Sequence, residues 1–174
     1  VPGNVRLGSG TVITGELTFK RFLSSLQPGV VIGRDCTLER VSLAVGVAGM
    51  LEIGDHCYAT DAVLLCEQSV RLGSYVVLGW GVTIADSDFH PLDPALRAVD
   101  ALALSPVGAG RARPRPENRP VVIGDDVWVG PAATILKGVT VGDHVDIEAG
   151  SVVTTDVPAG SRVAGNPARM VGRA

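Results

Sequence analysis

The chain has 174 residues and a formal net charge of −3, and it is 46% hydrophobic but only 4% aromatic. That charge gives no global attraction to nucleic acid or an anionic membrane, and no apolar run reaches the roughly 20 residues that a membrane-spanning helix needs. With so few rings the core is left to Val, Ile, Leu and Ala, which suits a thin, regular interior within a single domain spanning 1–174. The first ten residues, VPGNVRLGSG, have neither a basic region nor an apolar signal core, so a cytoplasmic location is expected. Cys36, Cys57 and Cys66 are odd in number and lack metal-ligand spacing, which fits free thiols in a reducing compartment.

In chain order, aliphatic residues first recur at six-residue steps from Leu7, Ile13 and Phe19 and from Leu26, Ile32 and Leu38. Segment 41–52 loses phase and is expected to be an irregular loop or bulge. The period resumes at Ile53, Ala59 and Leu65, then slips by one residue to Leu72, Leu78 and Ile84. From Ile123 it runs unbroken through Val129, Ile135, Val141, Ile147 and Val153. Small or β-branched residues follow four positions later, at Val127, Ala133, Val139, Val145, Ser151 and Val157. A helical period would scatter these sites around a cylinder, and a simple strand has no need of glycine every sixth residue. Short strands with a turn in each repeat remain. Such units bury an apolar face only by stacking into a solenoid.

One long interruption covers residues 90–120. Asp93 followed by Pro94 is a helix start, an N-cap acceptor ahead of proline at the first helical position, and Pro106 stops the helix, so one is expected over about 94–104. Beyond it, GAGRARPRPENRP is rich in Pro and Arg and is expected to be extended and mobile. Excursions from a regular solenoid tend to carry function.

The repeat phase separates the three histidines. His56 and His144 fall at outer turn positions, where a solvated corner residue is the simpler reading. His90 falls where another inward aliphatic is due, just before Pro91 leaves the lattice. Ser87 sits in a turn-like run with Asp86 and Asp88, which weakens it as a nucleophile. Cys36 and Cys57 occupy small-residue slots, whereas Cys66, next to Leu65, could face outward. Arg111, Arg113, Arg115 and Arg119 are either a phosphate grip or a solvated basic loop.

The run IGDDVWVGPAATILKGVTVGDHVDIEAGSVVTTDVP, the closing AGNPARMV and the segment DSDFHPLDPALR resemble the hexapeptide-repeat acyltransferases, within them the branch of maltose and galactoside O-acetyltransferases. The resemblance covers about residues 51–172. It implies an all-β, left-handed parallel β-helix with a loop insertion and a short C-terminal tail, assembled as a homotrimer with sites between subunits. It implies acetyl-CoA as acyl donor, a small-molecule or saccharide acceptor and no metal. His90 matches the family's general base, and Trp128, Pro131, Ala149, Thr154, Thr155 and Arg169 match its cofactor positions. Two departures stand out. Thr155 replaces a lysine common in relatives, and the positions matching the sugar-binding Asn and Asp are Thr60 and Gln68. The resulting expectation is an acetyl-CoA-dependent O-acetyltransferase acting on a sugar or polysaccharide hydroxyl. The alternatives are an N-acetyltransferase on an amino sugar or natural product, a non-catalytic β-helix scaffold, and a β-helix carbonic anhydrase. The last needs three histidines on one metal, and His56, His90 and His144 lack its spacing.

Overall fold

The computed structural model describes residues 1–15, 18–19 and 21–174. Its strands form three sheets that wind into a parallel β-helix, the central coils contributing one short strand to each wall. The first wall stacks Val5–Leu7, Val30–Ile32, Met50–Ile53, Ser69–Leu72, Val121–Ile123 and Thr140–Val141. The second stacks Val12–Thr14, Thr37–Glu39, Tyr58–Thr60, Val77–Leu78, Trp128–Val129, Asp146–Ile147 and Ser161–Gly165, and the antiparallel strand Ala168–Arg173 covers its end. Ser42–Val45, Val63–Cys66, Thr83–Ala85, Thr134–Ile135 and Val152–Val153 make the third.

The six-residue period becomes three buried ladders. Ile32, Ile53, Leu72, Ile123 and Val141 align in the first wall, and Leu38, Ala59, Leu78, Val129, Ile147 and Val163 in the second. Leu43, Leu64, Ile84, Ile135 and Val153 align in the third. Each such side chain, fully removed from water, contributes about 1.5–3 kcal/mol before entropy is set against it. The small-residue slots are buried as expected, from Val127 and Ala133 to Ser151 and Val157.

The corners show how the chain turns so sharply. Between the first and second walls, Gly10, Asp35, His56, Tyr75, Asp126, His144 and Gly160 all take left-handed φ values. A single left-handed residue redirects the backbone without lengthening the coil, at a steric cost for any residue with a Cβ. The glycine just before this corner has a different task. A Cβ on Gly54 would meet the carbonyl carbon of Gly73 at 2.6 Å, and one on Gly73 would meet that of Gly124 at 2.7 Å. Glycine is required there because successive coils touch.

Four sequence readings are corrected. Segment 41–52 is not irregular: it holds the strands Ser42–Val45 and Met50–Ile53, joined by a tight turn in which Gly49 N donates to Gly46 O. The phase is lost because the preceding corner is one residue shorter and this turn is longer, while the pairing continues. In the next coil the inward residue is Leu64, not Leu65, again through a shortened corner at Asp61. Cys66 is therefore buried rather than outward. Leu26, read as part of the ladder, is exposed.

Between the third wall at Ala85 and the first at Val121 the chain leaves the solenoid. The helix α1 spans Pro94–Leu104, and the Asp93 side chain caps it by accepting from Leu96 N at 2.9 Å, as the Asp–Pro pair predicts. After the short 3₁₀ turn Pro106–Gly108 the chain runs extended back to the corner it left. Arg119 N donates to Asp86 O, Ser87 bridges Asn118, and Lys137 Nζ lies 3.3 Å from Asp88 and 3.4 Å from Glu117. Both feet of the excursion are thus pinned to one corner of the β-helix.

Candidate active site

His90 lies at the outgoing foot of this excursion. It does not fill the inward slot that the repeat leaves open, since its side chain is 55% exposed and the next first-wall strand takes up the ladder after the loop. Its Nδ1 is 2.6 Å from Oδ2 of Asp100, on the helix α1. Asp100 is 1% exposed and receives two further bonds from Arg113, Nε to Oδ1 at 2.7 Å and Nη2 to Oδ2 at 3.2 Å. Arg113 Nη2 also donates to the carbonyl of Phe89 at 3.1 Å, which ties the returning chain to the residue before His90.

The electrostatics follow from this geometry. The Arg113 guanidinium, then the bond from His90, hold the Asp100 carboxyl well below its ordinary range, at about 2. An ionised carboxylate can only accept hydrogen bonds, so Nδ1 of His90 is the donor in this contact. The ring is thereby held in one orientation, with Nε2 the nitrogen not engaged by Asp100. It borders a cleft of about 400 Å³ lined also by Arg21, Glu67, Phe89, Leu104, Arg113, Pro114, Arg115 and Pro116.

The other nucleophile candidates withdraw. Ser87 is nearly buried and its Oγ accepts from Phe89 N at 2.9 Å, a turn-stabilising bond. Burial pushes the thiols of Cys57 and Cys66 up to about 12, far from thiolate formation. His56 stacks on Tyr75, and His144 bonds Asp126 at 2.9 Å, both at solvated corners as read from the repeat. That bond raises the His144 pKa.

The remaining site residues fall into two groups. Thr60, Trp128 and Pro131 come together in a groove of about 190 Å³ with Tyr58, Val77, Leu78, Gly79 and Trp80, on the second wall and its corner with the third. Ala149 sits one coil beyond Pro131, where Gly150 N donates to Pro131 O. Thr155 and Arg169 line a smaller pocket of about 130 Å³ near the C-terminus, and Thr154 is exposed next to it. Gln68 is exposed, and its backbone N donates to buried Asp86 at 2.7 Å. Neither Thr60 nor Gln68 lines the His90 cleft.

Asp100 and Arg113 were not singled out as partners of His90 by sequence. One signal was present: PALRAVDALAL holds a lone acidic residue among mostly apolar ones, with Arg97 the other charge, and the helix buries that aspartate while exposing Leu96, Val99 and Leu104. An inverted helix of this kind is held by a polar anchor rather than by an apolar stripe.

Comparison with known proteins agrees with this architecture. Residues 120–155 match the family model described as bacterial transferase hexapeptide (six repeats). Nodulation protein L of Rhizobium meliloti is 42% identical over 123 residues, which make up 70% of this chain and 59% of that protein. A maltose O-acetyltransferase from Clostridium difficile superimposes with a TM-score of 0.59 at 34% identity, covering 71% of this chain and 58% of the other. A hexapeptide-repeat acetyltransferase from Vibrio cholerae, complexed with acetyl coenzyme A, reaches a TM-score of 0.68 at 28% identity over 88% of this chain and 73% of that one. The chain thus spans less than two thirds of the first two relatives. The coil and its repeat define the class: a parallel β-helix that carries the bacterial transferase hexapeptide repeat over residues 120–155.

Proposed function

We propose that the chain is an acetyl-CoA-dependent O-acetyltransferase that acylates a hydroxyl of a sugar or polysaccharide unit, with His90 as general base. The observation that carries this reading is the His90–Asp100–Arg113 array, an exposed imidazole aligned by a buried, ionised carboxylate at the edge of a cleft. The named activities of the maltose and Vibrio relatives support it.

The chain also has surfaces suited to a long, partly apolar, anionic donor. The Trp128–Pro131 groove is mainly apolar, and the hydroxyl of Thr60 is buried there without a hydrogen-bond partner among the described residues. Arg169, exposed by the C-terminal pocket, offers a cation to the nucleotide end. Acetyl-CoA, when bound, supplies the thioester carbonyl carbon that the acceptor oxygen attacks. His90 Nε2 accepts the proton of the acceptor hydroxyl during that attack and returns it to the departing sulfur, so the enzyme ends the cycle unchanged. Asp100 stabilises the imidazolium formed in between, and Arg113 keeps Asp100 ionised and in place.

Among the described residues the Trp128 groove and the His90 cleft share no lining residue within one chain. A donor that reaches both is most simply held between two copies, so the active assembly is proposed to be a homotrimer. The experiment is release of free CoA from acetyl-CoA against a panel of sugars with hydroxyl or amino acceptors. Release with hydroxyl sugars that is absent in His90→Ala supports the reading. Release with amino sugars alone would replace O-transfer by N-transfer, and no release with any acceptor would remove it.

A further inference from the structure

The cleft beside His90 has a charge pattern that a neutral sugar does not need. Three arginines line it against one glutamate. Arg113 is committed to Asp100. Arg21 reaches Glu67 only at 3.8 Å, a loose and solvated contact. Arg115 makes no ion pair among the described residues, yet it lines the same cleft as His90. Its backbone is also stiffened, because it lies between Pro114 and Pro116. A residue before proline is restricted to extended conformations, and both prolines have fixed φ. An arginine held in this way loses less freedom on binding than one on a loose loop. The rest of the lining suits a saccharide: Glu67 can accept from hydroxyls, and Phe89, Leu104, Pro114 and Pro116 offer apolar surface to the ring.

Building on the transfer reading above, we propose that the acceptor is an anionic saccharide, a sugar unit bearing a carboxylate or a phosphate. Arg115, assisted by Arg21, receives the anion while His90 faces the hydroxyl. Guanidinium groups match the oxygen pairs of both anions, so the two share one chemistry.

The test titrates purified protein calorimetrically with galacturonate against galactose and with glucose 6-phosphate against glucose, and follows CoA release with the same four sugars. At least one acidic sugar is expected to bind about tenfold or more tightly than its neutral parent, and the pair that shows the gap identifies carboxylate or phosphate. The gap narrows as salt is raised, disappears largely in Arg115→Ala and returns in part in Arg115→Lys. Thermal melts confirm that these exposed-site variants fold. Equal binding within both pairs, or a preference that survives Arg21→Ala and Arg115→Ala together, overturns the anion site. Acidic binding without CoA release would keep the anion site and remove the transfer reading. Efficient release with neutral and acidic sugars alike would keep transfer and overturn the anion site.

Discussion

His90 and Asp100 meet at 2.6 Å across the mouth of the excursion, one residue exposed at its outgoing foot and the other buried in the helix it carries. The contact converts a loop into a device for fixing one imidazole nitrogen. Without it, the ring would rotate freely and either nitrogen would hold the proton.

Replacing Asp100 by Asn keeps the shape but lets the side chain donate to Nδ1, which favours the wrong tautomer. Turnover is expected to fall at least about tenfold, with little change in the constant for acetyl-CoA, because the lost interaction acts on the base rather than on binding. Steady-state kinetics on an accepted sugar decide it. Equal turnover in Asp100→Asn would show that His90 works without its partner.

The same carboxylate sets an acid limit. Its folded pKa, about 2, lies below the ordinary 3.8, so its ion pair stabilises the fold fully above the unfolded value. That contribution is lost as pH falls from there through about 2. Thermal melts between pH 5 and pH 2 should show a loss of stability in the wild type that is smaller in Asp100→Asn. Near neutral pH the carboxylate stays ionised, so a limb of the rate profile there does not report Asp100.

The solenoid and its excursion were legible because each rests on local chemistry: the ladder from Ile123 to Val153 needs only its period, and α1 needs only Asp93, Pro94 and Pro106. Segment 41–52 was misread because pairing between coils tolerates a short corner that breaks the period, and no single coil reveals its neighbours. Asp100 and Arg113 lie 10 and 23 residues beyond His90, and their meeting depends on how the returning chain crosses the helix. Spacing alone carries no trace of that crossing.

The ladder itself predicts a stability cost. Ile135 is fully buried between Ile84 and Val153, in coils that touch through glycine contacts and have little room to collapse. Ile135→Ala should lower unfolding free energy by about 2–5 kcal/mol in denaturant titration. A loss well under 1 kcal/mol would mean that the coils relax into the space.

Arg169 should act on the donor alone. A charge-assisted contact to the nucleotide end contributes about 1.5–3 kcal/mol, so Arg169→Ala should raise the constant for acetyl-CoA roughly tenfold or more and leave the acceptor constant nearly unchanged. A shift in the acceptor constant instead would reverse the assumed direction of the donor.

The shared site makes the most demanding prediction, because it concerns two residues that one chain keeps apart. Trp128 faces outward on the second wall, whereas His90 stands where the excursion leaves the third. If the donor lies between copies, each site takes His90 from one copy and Trp128 from its neighbour in a closed ring. His90→Ala and Trp128→Ala homotrimers should each be nearly inactive. Refolded together in equal amounts, they form mixed rings, and about a quarter of the interfaces pair an intact His90 with an intact Trp128. Roughly that fraction of wild-type CoA release should return, and sedimentation should show trimers in every sample. A site completed within one chain would return nothing on mixing, since every chain then carries one of the two lesions. Mixed trimers without recovered activity would therefore sink the shared-site arrangement, and a monomer at micromolar concentration would sink the assembly itself.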